Sequence, residues 1–328
     1  MIRNLYLYEA TGYDPHENLS IEQYLLEHLS DGDMILYLWQ NQNTVVIGKN
    51  QNAWAECCVS LLEQEGGKLA RRLSGGGAVF HDLGNLNFTF LTKAKDYNVD
   101  QQLSVIANAC AMAGISVEKS GRNDILADGR KFSGNAFYHA QGNSYHHGTL
   151  LIGADMDKLQ RYLSPSKAKL EAKGVTSVCS RVVNLSELNP SLNISLMKQY
   201  MRAAFERVYG LQAQNITLST EAQQEISQMT GKNSSWAHLF GAPLPFTFSC
   251  SQRFSWGSIQ IDIEAKSGEI RGVKVYSDAM DWHLPQQIEQ ALQDCRFEKD
   301  AMCTALKKAL SGEAFGDDLI QMIQQQDL

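Results

Sequence analysis

The chain lacks what a membrane, a fibre or an oxidising compartment would demand. Its longest purely apolar runs, such as Met34 to Trp39, fall far short of the ~18 to 20 residues a spanning helix needs. Only 6 prolines stand among 328 residues, and the 25 glycines follow no repeat, which excludes collagen-like and low-complexity chains. Positive charge is not in excess, since 29 Lys and Arg against 36 Asp and Glu leave a net −7. No global electrostatic case exists for wrapping a nucleic-acid backbone. The seven cysteines (Cys57, Cys58, Cys110, Cys179, Cys250, Cys295 and Cys303) are odd in number and show no C-x-x-C or zinc-type spacing. Reduced, mostly buried thiols are expected. The N-terminus alternates like a strand and carries no secretory pattern, so a cytoplasmic protein without membrane attachment is expected.

What is present is a 44% hydrophobic, 20% charged composition, ample for a sizeable core and about two domains by length. Residues 3–8 alternate as a strand. A helix opens at Asn18 and places Leu19, Leu25, Leu26 and Leu29 at helical period. Met34 to Trp39 and Thr44 to Gly48 read as a hairpin joined by residues 40–43. Gln101 to Ala113 is helical and stops at Gly114. Asp128-Gly129 predicts a tight turn between two strands, with Tyr145 to Leu151 antiparallel to the second. Gly241-Ala242-Pro243-Leu244-Pro245 marks a linker, giving domains 1–244 and 245–328. Beyond it the strict alternation of Ser258 to Glu264 and the return of Glu269 to Tyr276 predict a hairpin, followed by three helices. The second domain carries 8 basic and 13 acidic residues, net −5, leaving −2 for the first. Lys158 to Arg181 clusters six Lys or Arg against one acid, which suits either a solvated face or an anion site.

Four constellations carry chemistry. Arg71-Arg72-Leu73-Ser74-Gly75-Gly76-Gly77-Ala78-Val79-Phe80-His81-Asp82 sets three bare backbone units beside two guanidinium groups. Several N–H groups can converge there on a phosphate or carboxylate. The loop matches neither the Walker pattern nor the dinucleotide fingerprint. Gly121-Arg122-Asn123-Asp124 leads into the strand Lys131-Phe132-Ser133-Gly134-Asn135-Ala136, where a lysine among small residues can meet developing negative charge. Asp124 is either a cap or an oxygen ligand for a hard cation. His146 and His147 point to opposite faces of a strand, so one is expected buried in hydrogen bonds and the other at the site. Lys173 to Leu185 is a Ser/Thr-rich basic loop that could close over a nucleotide.

In order and spacing these residues resemble the lipoate-protein ligase A family, and the C-terminal hairpin and helices resemble the accessory domain of its bacterial members. The resemblance implies an α/β (α+β) catalytic domain of the class II aminoacyl-tRNA synthetase and biotin protein ligase type with a small α+β accessory domain. It implies ATP, Mg²⁺ and lipoate as ligands, a lipoyl-adenylate intermediate, and transfer to a lysine of apo lipoyl domains. Those acceptors belong to 2-oxoacid dehydrogenase E2 subunits and the glycine-cleavage H protein, and a monomer is expected. Arg71, Gly76, Gly77, Ala78 and Val79 would then contact the nucleotide. Lys131 would bridge the α-phosphate and the lipoyl carbonyl as the catalytic group. Ser74, Gly75 and His147 would hold lipoate with Lys131, and Asp124 would take Mg²⁺. The acyl chain would need a slot lined by Val79 and the strand around Leu38. One departure is Cys179, where the family carries an arginine. It opens a rival, an octanoyl or lipoyl transferase with a cysteine nucleophile and no need of ATP. The glycine loop, Asn123-Asp124 and the accessory domain favour the adenylating ligase. The glycine-arginine loop usual in biotin ligases is absent, and a non-catalytic binding module is the remaining alternative.

Overall fold

The computed structural model describes residues 1–121, 123–163, 182–240, 248–266, 268–313 and 315–326. Its strands are β1 (Asn4–Glu9), β2 (Asp33–Trp39), β3 (Thr44–Ile47), β4 (Lys68–Arg71), β5 (Val79–His81), β6 (Asn85–Lys93), β7 (Val117–Ser120), β8 (Asp124–Ala127), β9 (Arg130–Ala140), β10 (Asn143–Leu151), β11 (Ala213–Asn215), β12 (Phe248–Phe254), β13 (Gly257–Lys266) and β14 (Glu269–Ser277). The fold class is the α/β type expected. Eight strands form one sheet in the order β11-β1-β2-β6-β10-β9-β8-β7, and β4-β3-β5 form a small second sheet. β1 runs parallel to β11 and β2, and the pairs from β2 to β7 are antiparallel.

The first helix begins at Pro15, not Asn18, because Asp14 accepts from the His16 and Glu17 N–H groups and proline presets the first turn. Its apolar side covers one face of the large sheet, packing Leu19, Leu25 and Leu26 against Tyr37, Trp39 and Tyr145. The opposite face buries Leu36, Leu38, Phe88 and Phe90 under helices Val99–Met112 and Ile194–Tyr209, through Val105, Ile106, Met197 and Phe205. A sheet covered on both faces reads as continuous apolar strands. β2 is such a run, with six of its seven residues buried.

The Met34 to Gly48 hairpin does not form. β2 pairs with β1 and β6, whereas β3 pairs with β4 and β5. Asn43, at φ 45°, turns the chain out of one sheet and into the other. The Asp128-Gly129 turn forms as expected, with φ values of 50° and 69° between β8 and β9, the pair of positive angles a type I′ hairpin requires. The C-terminal hairpin β13-β14 also forms, with β12 beside it. Helices Leu284–Leu292, Lys299–Ala309 and Gly316–Gln324 close a separate core on it, which includes Ile261, Ile263, Ile288, Leu306 and Ile323. The linker expected at residues 241–245 lies outside the described residues. Among the described residues no helix is long and apolar enough to cross a membrane.

Candidate active site at the glycine loop

The loop between β4 and β5 is built by the Arg71-Arg72 pair, whose side chains leave the strand on opposite sides. Arg71 donates to the carbonyls of Gly48 (3.1 Å), Lys49 (2.9 Å), Gln51 (2.7 Å), His238 (3.0 Å) and Leu239. It ties the loop after β3 to the helix Trp236–Phe240, and in this conformation its guanidinium serves the scaffold. Arg72 was not among the expected nucleotide contacts, yet it shapes the cradle. It is buried and donates to Val46 O (3.1 Å), Gly75 O (2.8 Å), Gly77 O (2.7 Å) and Ser74 Oγ (3.1 Å). Drawing the Gly75 and Gly77 carbonyls onto one cation fixes the backbone of the loop from within. Burial lowers both arginines to about 10, so both stay charged at neutral pH.

Gly76 takes φ 90°, a conformation that favours glycine. Gly48 crosses it so closely that a Cβ on Gly48 would lie 2.3 Å from Gly76 O. Gly77 is exposed, and Ala78 and Val79 are half-buried, with Val79 opposite Val46 in the small sheet. The second domain reaches this loop. Gly76 N–H donates to Ala279 O at 3.1 Å, and a Cβ on Gly75 would meet Ala279 O at 2.5 Å. The Met280 sulfur lies 4.0 Å from Asn123 Nδ2 and would lie 3.3 Å from a Cβ on Gly76. The segment from Ser277 to Trp282 is further held by Ser277 N–H on Asn50 O (2.9 Å), Asn50 Nδ2 on Trp282 O (2.8 Å), Lys49 Nζ 3.5 Å above the Trp282 ring, and Tyr138 stacked on it at 4.9 Å.

Met280 thus separates the glycine loop from the second cluster. Lys131 Nζ lies 2.7 Å from Asp124 Oδ1, with the side chains 36% and 35% exposed. The contact is an ion pair off the hydrogen-bond axis, because that carboxylate oxygen has no aligned donor. Gly134 leaves room for the lysine, since a Cβ there would stand 3.2 Å from Nζ. Among the described residues no group of three or more His, Cys, Asp or Glu could hold a metal. One carboxylate with an unaligned oxygen suits a magnesium ion that arrives already bound to phosphates.

The two histidines divide as expected. His146 lies in the apolar core, bonded to Asn135 Oδ1 (2.8 Å) and the Gln102 amide (3.1 Å), and burial lowers it to about 3. His147 faces the loop, 2.8 Å from Ser74 Oγ through Nε2. Its other nitrogen lies 2.8 Å from Glu22 Oε1, which also accepts from Thr89 Oγ1 at 2.7 Å. Ser74, His147 and Glu22 are all buried, and Glu22 was not expected here. Its signal was an acid on the apolar stripe of the first helix, three residues after Leu19 and three before Leu25. Leu38, expected near the acyl slot, packs in the core on the sheet face away from His147. Its neighbours Tyr37 and Trp39 share the His147 face.

Among the thiols, burial raises Cys57 and Cys110 to about 12 and Cys250 to about 11, so none of these is a ready nucleophile. Cys179 and most of the basic run and loop around it lie outside the described residues.

The class these features define is a ligase: an α/β domain with an arginine-braced glycine loop, a strand lysine and a second domain packed against the loop, and comparisons with known proteins give the family. The family model described as lipoyl protein ligase A/B catalytic domain matches residues 14–206, and the one described as bacterial lipoate protein ligase C-terminus matches residues 244–326. A lipoate-protein ligase A of Blochmanniella pennsylvanica is 42% identical over 286 residues, 85% of this chain and 84% of its own. The crystal structure of P. falciparum LipL1 in complex with lipoate superposes with a TM-score of 0.85 at 27% identity, covering 98% of this chain and 100% of that one. A lipoate-protein ligase A solved bound with ATP shares the fold at 22% identity, TM-score 0.64, over 74% of this chain and 99% of that one. The chain belongs to the lipoate-protein ligase A family and is a ligase.

Proposed function

We propose that the protein activates lipoate with MgATP to lipoyl-adenylate and pyrophosphate, then transfers the lipoyl group to a lysine of an apo lipoyl domain. Acceptors would be 2-oxoacid dehydrogenase E2 subunits and the glycine-cleavage H protein, and the enzyme would act as a monomer in the cytoplasm. The observation that carries this reading is Lys131, an ammonium paired with Asp124 across Met280 from the glycine loop. A carboxylate and a triphosphate repel, so their approach needs fixed positive charge and oriented N–H donors. Lys131 would hold the carboxylate oxygen and the α-phosphate together, and Gly76, Gly77, Ala78 and Val79 would offer backbone to the nucleotide. Arg71 and Arg72 would keep that backbone in shape. Asp124 would take the magnesium, which supplies neutralising charge on the phosphates. Ser74 and Gly75, steadied by His147 and Glu22, would border the lipoate carboxylate.

Residues 1–244 would form the catalytic unit and 245–328 the accessory unit. The Ala279 carbonyl holds the Gly76 N–H that a phosphate would need, so nucleotide binding would displace the Ser277 to Trp282 segment. The test is lipoate-dependent pyrophosphate release from MgATP without an acceptor. Release that requires lipoate and is lost in Lys131→Ala is expected. Release independent of either would exclude this site.

A further inference from the structure

A polar chain runs through the apolar core behind the Lys131 site. His146 lies on the sheet face opposite His147, with Phe88, Phe90 and Phe137 around it at ring-centroid distances of 5.4, 5.9 and 4.9 Å. Gln102 of the helix Val99–Met112 and Asn135 of β9 meet its two nitrogens, and all three residues are buried. Polar side chains buried among phenylalanines cost stability unless each is partnered in one arrangement. The hydrogen bonds here define that arrangement.

The order of donors follows from the outer end of the chain. The Asn123 carbonyl can only accept, and Asn135 gives it two donors, the backbone N–H at 2.8 Å and Nδ2 at 3.0 Å. Asn135 Oδ1 therefore points the other way and accepts from His146 Nε2–H at 2.8 Å. A neutral ring with its proton on Nε2 accepts at Nδ1. The two ends of the Gln102 amide are isosteric, and only its nitrogen can serve that ring atom across 3.1 Å. With the oxygen there, two acceptors would face each other and the buried Gln102 Nε2 would have no partner. Gly148 stands opposite Asn135 and leaves room for its amide, since a Cβ on Gly148 would lie 2.9 Å from Asn135 Oδ1.

The outer end of this chain is the site itself. Asn123 directly precedes Asp124, whose Oδ1 lies 2.7 Å from Lys131 Nζ, and its own Nδ2 lies 4.0 Å from the Met280 sulfur. Resting on the reading of Lys131 as the group that joins the lipoate carboxylate to the α-phosphate, we propose that His146 and Asn135 are positioning residues for that reaction. His146 Nε2–H fixes the Asn135 amide, and the fixed amide holds the Asn123 carbonyl so that Asp124 keeps Lys131 aimed at the reacting atoms. An Asn135 amide without His146 has two orientations of the same shape, and one of them sets Oδ1 against the Asn123 carbonyl. That orientation repels the turn. Misplacing a catalytic group by about 1 Å costs up to roughly a hundredfold. The contact of Lys131 with developing charge counts in the transition state, so the loss falls on kcat and not on KM.

The test compares kcat and KM for lipoate-dependent pyrophosphate release in the full-length wild type, His146→Leu, His146→Gln and Asn135→Ala, with hydrogen exchange at the Asn135 backbone amide followed without substrates. Glutamine carries a donor in the place of Nε2, and leucine carries none. His146→Leu should lower kcat about tenfold with KM for lipoate changed less than about twofold, and should quicken exchange at Asn135. His146→Gln should recover most of both. Asn135→Ala should lose the same factor in kcat, and the double variant with His146→Leu no more than either alone, because both act through one carbonyl. An unchanged kcat in His146→Leu, equal losses in the leucine and glutamine variants, or additive losses in the double variant would overturn the assignment. A wild type that releases no pyrophosphate, with exchange at Asn135 quickened by leucine and restored by glutamine, refutes the activation reading and sustains the hold of His146 on the Asn123 turn.

Discussion

Replacing Arg72 by lysine keeps the charge and removes the fork. Arg72 holds three carbonyls, Val46 O, Gly75 O and Gly77 O, and the Ser74 hydroxyl from a planar group. A lysine offers three donors from one atom and cannot reach carbonyls on both sides of the loop. Each carbonyl left buried and unpaired costs ~1–3 kcal/mol, so two orphaned acceptors set the loss at roughly 2–6 kcal/mol. Arg72→Met also leaves Glu22 without its nearby cation and should lose ~3–5 kcal/mol, the cost of breaking a buried charge arrangement. Urea unfolding measures this as a lower midpoint at unchanged slope. In the pyrophosphate assay Arg72→Lys should raise the KM for ATP by about tenfold, or roughly 1.4 kcal/mol of binding, because the loop backbone no longer has one set orientation. A loss below ~1 kcal/mol with an unchanged KM for ATP would show that the glycine loop supports itself, against the hydrogen-bond values used.

Other perturbations follow from the same geometry. Glu22→Ala leaves His147 Nδ1–H and the Thr89 hydroxyl without their acceptor and should cost ~2–4 kcal/mol, whereas Glu22→Gln keeps an oxygen there and should stay within ~1 kcal/mol; equal losses in urea melts would point to charge, not hydrogen bonding. His81 and His146 are held neutral at about 3 against an ordinary 6.5. The unfolded chain binds their protons below 6.5 and the folded chain does not, so stability is full above pH 6.5 and falls as pH drops toward 3, by up to ~1.4 kcal/mol per pH unit for each. His146→Gln should flatten that slope between pH 6.5 and 5, and an unaltered slope would contradict the burial assigned to this ring. Trp282→Ala removes the Lys49 and Tyr138 contacts, worth ~1–2 kcal/mol together. It should loosen the segment over Gly76 and tighten ATP binding up to about tenfold, with faster hydrogen exchange at residues 277–282. Weaker ATP binding would mean that the segment supports the nucleotide.

How much of this was legible in the sequence depended on how local the cause was. The β8-β9 turn was readable because Asp128-Gly129 contains its own conformational reason, and the β13-β14 hairpin because one face is buried and the residues alternate. The Met34 to Trp39 run gave no phase, since both faces of β2 are covered, so nothing local tells whether Leu38 or Trp39 shares the His147 face. The small sheet was unreadable because Thr44 finds Lys68 and His81, partners far along the chain with no turn between them. At the candidate site, residue types announced the loop, Lys131 and His147. Division of labour between Arg71 and Arg72 depends on which side of β4 faces the loop, and the Ala279 and Met280 contacts arise only from domain packing.

Mass spectrometry of an apo lipoyl domain incubated with the enzyme and lipoate tests ATP-driven lipoylation at the glycine loop. One lipoyl group on one lysine is expected, formed only with MgATP, lost in Lys131→Ala and retained in Cys179→Ala. Acylation from an acyl carrier protein without ATP, abolished in Cys179→Ala, would contradict it and make the protein a cysteine transferase.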